Sequence, residues 1–332
     1  VLIITDKQVE QLLPMGECIE MMSDALKTLA RGGAVLPLRQ IMWLPDKSGA
    51  LGAMPSYLEE PASLGIKVIT VFQKNLGTKY DSHQGAVLLF DAEHGVLQAV
   101  IDASSVTAIR TAAVSGVATR ALARAEAGDL CLMGSGAQAM THLEAMQSVR
   151  TLRRVRVWSR SVDNAKAFAA KALAKHGIDV EAIDSAREAV RDADIICTTT
   201  SSREPVLLGA WIAQGAHINA VGSSVPAARE LDTAAVVNAS LFVDRRESTL
   251  NEAGDYLFPM HEGAIDASHI RAELGEVLSG AHDGRSTGSE ITLFKSLGIA
   301  IEDLASAHLI HRKALALGIG TSIALGGLRD GH

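Results

Sequence analysis

Asp129-Leu-Cys-Leu-Met-Gly-Ser-Gly-Ala-Gln-Ala139 is the stretch whose reading decides the fold. A short apolar run ends in Gly134-Ser135-Gly136-Ala137-Gln138-Ala139, and a helical pattern follows from Met140 to about Arg150. Strand, tight glycine turn and helix N-terminus in that order form the first unit of a dinucleotide-binding fold. Gly134 permits the sharp turn, and Gly136 lets the backbone come close to a pyrophosphate. Ala139, in the third small position, lets the helix pack on the strand. The anion then meets free N–H groups at the positive end of the helix, around Ser135, Gly136, Ala137 and Gln138. A lone glycine pattern of this kind is a weak signal, and its weight comes from what surrounds it.

Arg153-Arg-Val-Arg-Val-Trp158 reads as the second strand. It ends about 20 residues after the glycines, where a dinucleotide fold places its ribose-reading residue. NAD-specific sites put an acid there to accept bonds from the ribose 2′-hydroxyl; this chain has Ser159-Arg160-Ser161. Two hydroxyls around a guanidinium suit a 2′-phosphate, because arginine offers a fork of charged donors. The reading is therefore NADP(H) as preferred cofactor with NAD(H) possible, set against Arg160 as a solvated residue opening the next helix.

Strand patterns then recur near 129–133, 154–158, 178–183, 194–199, 216–220 and 241–244, with helical patterns between them. This alternation predicts an α/β fold with a doubly wound parallel sheet. Such sheets bind ligands at the carboxyl ends of their strands, which puts Thr198, Thr199, Val221 and Ser223 on the cofactor beside the glycine loop. The chain is expected to close with helices over 266–279 and 293–317 and a frayed tail over 329–332.

Upstream the architecture differs. Thr5 with Gln8 forms a capping-box pattern, and a helix carries Ile19, Met22, Leu26 and Leu29 up to Gly32-Gly33. Strands near 38–44, 50–57, 65–72, 86–90 and 97–101 follow without helices between them, which predicts an antiparallel or mixed sheet. A long Ala-rich helix from 106 to about 125 leads into the glycine loop.

A chain of 332 residues has room for two cores. Its net charge of −7, with no basic run, argues against nucleic acid as a partner. Cys18, Cys131 and Cys197 are odd in number and far apart, the usage of a reducing compartment. Val1-Leu-Ile-Ile is too short to be read as a signal peptide, and no apolar run reaches the roughly 18 residues of a membrane span. The expectation is a cytoplasmic protein without a membrane segment. His308 and His311 stand three apart on a helical pattern, but no third ligand is evident and no metal is expected.

Three cations stand alone in apolar or small-residue segments: Arg39, Lys67 and Arg110. A buried lone cation needs an anionic partner, either a protein carboxylate or a ligand. No acid lies within four residues of Lys67 or Arg110. Taken singly each is structural; taken together, with a nucleotide fold downstream, they suggest a pocket for a small carboxylate. Asp303 reads as a structural, semi-buried helical residue with a partner in the other domain.

Nearly end to end, the chain resembles the ornithine cyclodeaminase/mu-crystallin family, which includes archaeal-type alanine dehydrogenases and ketimine reductases. The resemblance is carried by Leu51-Gly-Ala-Met-Pro-Ser-Tyr57, Ser82-His-Gln84, Ala108-Ile-Arg-Thr-Ala-Ala-Val-Ser115 and the glycine loop. His217-Ile-Asn-Ala-Val-Gly222, Arg229-Glu-Leu-Asp232, Ala272-Glu-Leu-Gly-Glu-Val277 and Phe294-Lys-Ser-Leu-Gly-Ile-Ala300 add to it. It implies a substrate-binding and dimerisation domain of residues 1–110 with 299–332, and a Rossmann NAD(P)-binding domain of 111–298. A homodimer is expected. It also implies that Arg39, Lys67 and Arg110 surround a substrate carboxylate, with Met54 and Ser224 at the substrate and Thr111 near the cofactor pyrophosphate. His83, shared with the family, either relays a proton or bonds a backbone group as a neutral histidine.

Two departures select within the family. Ornithine cyclodeaminases carry an acid just before the Met-Pro dipeptide and an Asp on the loop after the Ala-Val-Gly strand. Here Gly52-Ala53 precede Met54, and Ser224 takes the second place. Both partners of a diamino acid are gone, which points to an apolar or cyclic side chain. The resemblance thus implies an NAD(P)H-dependent reductase of small imino acids, with Lys67, Arg110 and His83 as the catalytic candidates. A 2-oxo acid reductive aminase, a cyclodeaminase with a relocated acid and a mu-crystallin-like binding protein are the alternatives.

Overall fold

The computed structural model describes residues 1–75 and 77–326; the tail expected over 329–332 lies outside them. The chain divides into two compact units. One comprises Val1–Arg110 and the stretch from Ile299, and the other Thr111–Gly298.

In chain order the first unit opens with β1 (Leu2–Ile4), α1 (Asp6–Leu12) and α2 (Met15–Ala30). The strands β2 (Ala34–Val35), β3 (Gln40–Trp43), β4 (Ala50–Leu58), β5 (Ser63–Val71), β6 (His83–Phe90) and β7 (Leu97–Asp102) follow. Helix α3 (Ala103–Leu122) carries both Arg110 and Thr111. The second unit continues with β8 (Asp129–Met133), α4 (Ala137–Val149), β9 (Arg154–Trp158), α5 (Val162–His176), β10 (Glu181–Ile183), α6 (Ala186–Val190), β11 (Ile195–Thr198) and β12 (His217–Ala220). It is completed by α7 (Thr233–Val237), β13 (Ser240–Val243), α8 (Arg246–Glu252), α9 (Gly254–His261), β14 (Ile270–Glu273), α10 (Leu274–Leu278) and β15 (Thr292–Lys295). The chain then returns to the first unit with α11 (Ala300–Leu317) and β16 (Thr321–Ser322).

The first unit is built on a mixed sheet in the order β16-β1-β7-β6-β5-β4-β2, with β3 also paired to β4. All its ladders are antiparallel except β1 with β7. Helix α11 lies against β4, β5 and β6. Gly65 permits that approach: a Cβ there would stand 2.8 Å from Leu304 Cδ1 and 2.7 Å from the Leu88 carbonyl oxygen. Leu304 follows Asp303, so the tight contact brings the start of α11 down onto the strand that carries Lys67.

The second unit holds a parallel sheet in the order β10-β9-β8-β11-β12-β15-β13-β14. The doubly wound α/β architecture expected from the glycine loop is therefore present. Two of its strands were read as helix. Thr292–Lys295 is a strand, buried at all four positions, between β12 and β13, and α11 starts only after Gly298 turns with φ +73°. Ile270–Glu273 is likewise a strand at the sheet edge, followed by the short α10. Enclosed on both faces, Thr292–Lys295 shows no alternation, so its apolar run merges with the helix that follows it. Ile270–Glu273 does alternate, but over four residues that lead directly into α10.

Candidate active site

In the first unit, two of the three cations of the sequence, Lys67 and Arg110, find their partners on α11. Lys67, on β5, and Arg110, on α3, are 3% and 4% exposed, and Glu302 and Asp303 are fully buried. Lys67 Nζ stands 2.7 Å from Asp303 Oδ2. Arg110 donates from Nε to Asp303 Oδ1 at 3.0 Å and from Nη1 to Glu302 Oε2 at 2.7 Å. Asp303, expected to bond the other domain, pairs inside its own unit. Glu302 was not singled out by sequence, although an acidic pair inside the apolar run Ala300–Leu304 is the complement that lone cations call for. Losing one partner of such a buried pair costs about 3–5 kcal/mol, because the other charge is left uncompensated.

Burial pushes the Lys67 ammonium down to about 8, and Arg110 and Arg39 push the same way. Asp303 opposes them and holds it up. Burial works to raise the Asp303 carboxyl, but Arg110 and Lys67 together outweigh it and hold it below the ordinary carboxylate range. Arg39 is half-buried just ahead of β3, and its charge reaches Lys67. Met54 lies directly across the β4–β5 ladder from Lys67 and is 7% exposed, so its thioether shares a sheet face with the ammonium. His83 opens β6 as an exposed residue, with Nδ1 2.9 Å from Ser82 Oγ. Partial desolvation and the charge of Lys67 lower its imidazole, against Asp81.

In the second unit, the glycine loop has the geometry its sequence predicts. Gly134 sits at φ +117°, where only glycine is at ease. A Cβ on it would stand 2.8 Å from Thr199 Oγ1. Gly136 caps α4, and a Cβ there would meet no heavy atom within 4 Å. The bare backbone and the helix N-terminus that begins at Ala137 fit the pyrophosphate of a dinucleotide. Ser135 Oγ donates to Ser159 Oγ at 3.1 Å, tying the loop to the end of β9. Arg160 is exposed beside them, and Ser161 caps α5 by accepting from the Asn164 amide at 3.4 Å.

Two expected cofactor contacts need correction. Thr198 is fully buried and donates its hydroxyl to Glu230 Oε2 at 2.7 Å. Ser223 is 1% exposed and donates to the Ala228 carbonyl. Both side chains are committed to holding loops. Glu230 was missed by sequence and is the hub. Its Oε2 also accepts from the Gly222 amide at 2.7 Å, and its Oε1 from the amide and hydroxyl of Thr200 at 2.6 and 2.7 Å. One carboxylate thereby joins the segments after β11 and β12. Asp255 accepts from the amides of Glu230 and Leu231 and pairs with Lys295 at 2.8 Å. Val221, Thr111 and the half-buried Ser224 lie on the same unit. Among the described residues no three His, Cys, Asp or Glu are grouped to hold a metal ion, His308 and His311 included. No described helix is long and apolar enough to cross a membrane.

A parallel sheet with a glycine loop at its carboxyl edge, carried on one chain with a buried ammonium that shares a carboxylate with an arginine, is that of an NAD(P)-linked oxidoreductase. The chain belongs to the ornithine cyclodeaminase/mu-crystallin family, whose model matches residues 2–317. It is 42% identical over 280 residues to the ketimine reductase mu-crystallin of Mus musculus, covering 84% of this chain and 85% of that protein. It is 38% identical over 323 residues to the Delta(1)-pyrroline-2-carboxylate reductase of Bacillus cereus, covering 97% and 99%. Among solved structures, the Thermococcus litoralis Delta(1)-pyrroline-2-carboxylate reductase in complex with NADH and L-proline superposes with a TM-score of 0.95. It shares 41% identity, covering 97% of this chain and 100% of that one.

Proposed function

We propose that the protein reduces the C=N bond of small cyclic imino acids, pyrroline-2-carboxylate or piperideine-2-carboxylate, to the corresponding cyclic amino acids. The observation that carries this reading is Lys67: an ammonium removed from solvent, held at about 8, and able to give a proton near neutral pH. Arg39 and Arg110 are the groups for the substrate carboxylate. Arg110 commits Nε and Nη1 to the acids of α11, which leaves Nη2 for a charge-assisted bond. Lys67 and Arg110 are paired with Glu302 and Asp303, and the charge of Arg39 bears on the same ammonium. Across from Lys67, the run Gly52-Ala53-Met54 offers no acid for a distal amine and suits an apolar ring.

A bound NAD(P)H supplies the hydride that the imine carbon receives. Gly134, Ser135, Gly136, Ala137 and Gln138 are the groups for its pyrophosphate. Arg160 between two serines favours NADP(H), although the Thermococcus enzyme holds NADH. Two copies of the chain are proposed to pair through the first unit, where β3 and its neighbour leave Val35, Met42 and Trp43 65%, 59% and 54% exposed. An apolar edge of that kind calls for a cover.

The test is NADPH oxidation followed at 340 nm with the two cyclic substrates, and with pyruvate plus ammonium for comparison. Faster turnover of the cyclic imines is expected. Preference for pyruvate plus ammonium makes the protein an amino-acid dehydrogenase, and silence with every substrate despite tight NADPH binding makes it a binding protein.

A further inference from the structure

We infer that Asp303 is a positioning residue for this reduction: bridging Lys67 and Arg110, it sets the ammonium to give its proton to the substrate nitrogen while Arg110 keeps a donor for the substrate carboxylate. The inference rests on the imino-acid reductase reading and assigns a role to the first turn of the C-terminal helix.

Three elements distant in sequence meet at this carboxylate. Lys67 comes from β5, Arg110 from α3 and Asp303 from α11, and the two contacts use different oxygens, Oδ2 for Lys67 and Oδ1 for Arg110. Two cations that repel each other are thereby held at a fixed separation by one planar group. Glu302 and Asp303 are consecutive, so their side chains leave the helix about 100° apart, and the longer Glu302 reaches round to Nη1 of the same guanidinium. Arg110 is thus anchored at two of its nitrogens, whereas Lys67 has one carboxylate. The Thr107 hydroxyl accepts from Lys67 Nζ only at 3.5 Å. Both acids stand in the first turn of an 18-residue helix, whose positive end favours their ionised form.

The chemistry asks for such a group. As the imine carbon receives the hydride, the π pair of the C=N bond passes to nitrogen and forms an N–H bond with the proton that leaves Lys67. The substrate gains two electrons, the nicotinamide loses them, and Lys67 becomes a neutral amine that recovers its proton from water. The groups that bear on Lys67 are Arg110 from α3, Arg39 ahead of β3, His83 from β6 and Asp303 from α11. Burial and the two arginines all favour the neutral amine, and Asp303 alone among these groups is anionic. Without it Lys67 loses its proton at a lower pH.

The test is the pH profile of kcat/KM for D303N beside the wild-type protein, with NADPH binding and far-ultraviolet circular dichroism as checks on folding. The substrate nitrogen titrates identically in both, so a difference belongs to the protein. Wild-type kcat/KM is expected to fall above about pH 8. For D303N this fall should start at least one pH unit lower, so between pH 6 and pH 8.5 the variant loses at least about sevenfold more than the wild type does. A D303N profile parallel to wild type, with the same loss at every pH, overturns the inference and leaves the reductase reading standing. No imine turnover by the wild type overturns both. Should D303N fail to bind NADPH, D303E carries the test. The restored carboxylate must then keep the fall within about half a pH unit of wild type, and a shift of more than one unit overturns the inference.

Discussion

Asp303 in the first unit and Glu230 in the second are both removed from solvent, yet their carboxyls move in opposite directions. Burial raises each. At Asp303 it is outweighed by Arg110 and Lys67, and the group ends below its ordinary value. At Glu230 burial prevails, aided by Asp255, against Lys295 and the threonine hydroxyls of Thr200 and Thr198, and the group ends above it. The partners account for the difference. Two full charges in contact recover the ionised form, whereas neutral N–H and O–H donors, however well placed, do so only in part. A carboxylate joined to cations can govern a proton donor. One joined to amides and hydroxyls ties loops together, and its charged neighbours Asp255 and Lys295 are paired with each other.

The comparison is broken or sharpened by substitution. The largest effect is expected for Lys67→Met, which removes the group that Asp303 serves: turnover should fall by roughly 10²–10⁴-fold with NADPH binding retained. Unchanged turnover would remove Lys67 from the site and reduce the ion cluster to a structural one. Glu230→Gln should behave differently from D303N. An amide cannot accept from all four donors, so KM for NADPH is expected to rise about tenfold, with a stability loss of about 1–3 kcal/mol in a thermal or urea melt. The pH at which kcat/KM falls should stay where it is in the wild type. A shifted pH profile in that variant would mean that Glu230 too acts on the proton transfer. The smallest effect belongs to Arg160→Ala, at an exposed position: KM for NADPH rises by about tenfold or less, and that for NADH stays unchanged. Equal losses with both cofactors would sink the 2′-phosphate assignment.

The same pair of sites shows how much could be read in advance. The glycine loop was legible because its function is local. Gly134, Gly136 and Ala139 act through their own backbone and lack of side chain, and the strand and helix they join are sequence neighbours. The strands of the first unit were legible too, because turn residues separate them. Other features were not. Strand β15 is enclosed in a parallel sheet and carries no alternation to separate it from the helix that follows, and β14 alternates over only four residues before running straight into α10. Thr198 and Ser223 lie at strand ends, as expected, but position along the chain does not tell which way a hydroxyl points. Theirs turn inward, to Glu230 and to the Ala228 carbonyl.

By itself the sequence determined the doubly wound dinucleotide unit, the different architecture ahead of it, the family, and three cations in need of anions. Only the tertiary structure decided where the anions come from. Glu302 and Asp303 stand 192 and 193 positions from Arg110, and they arrive because Gly65 lets α11 settle onto β5. Local pattern records which faces of an element shun water. The pairing of a buried charge is settled by which elements the whole fold brings within about 3 Å of it, where attraction to a partner offsets much of the cost of leaving water.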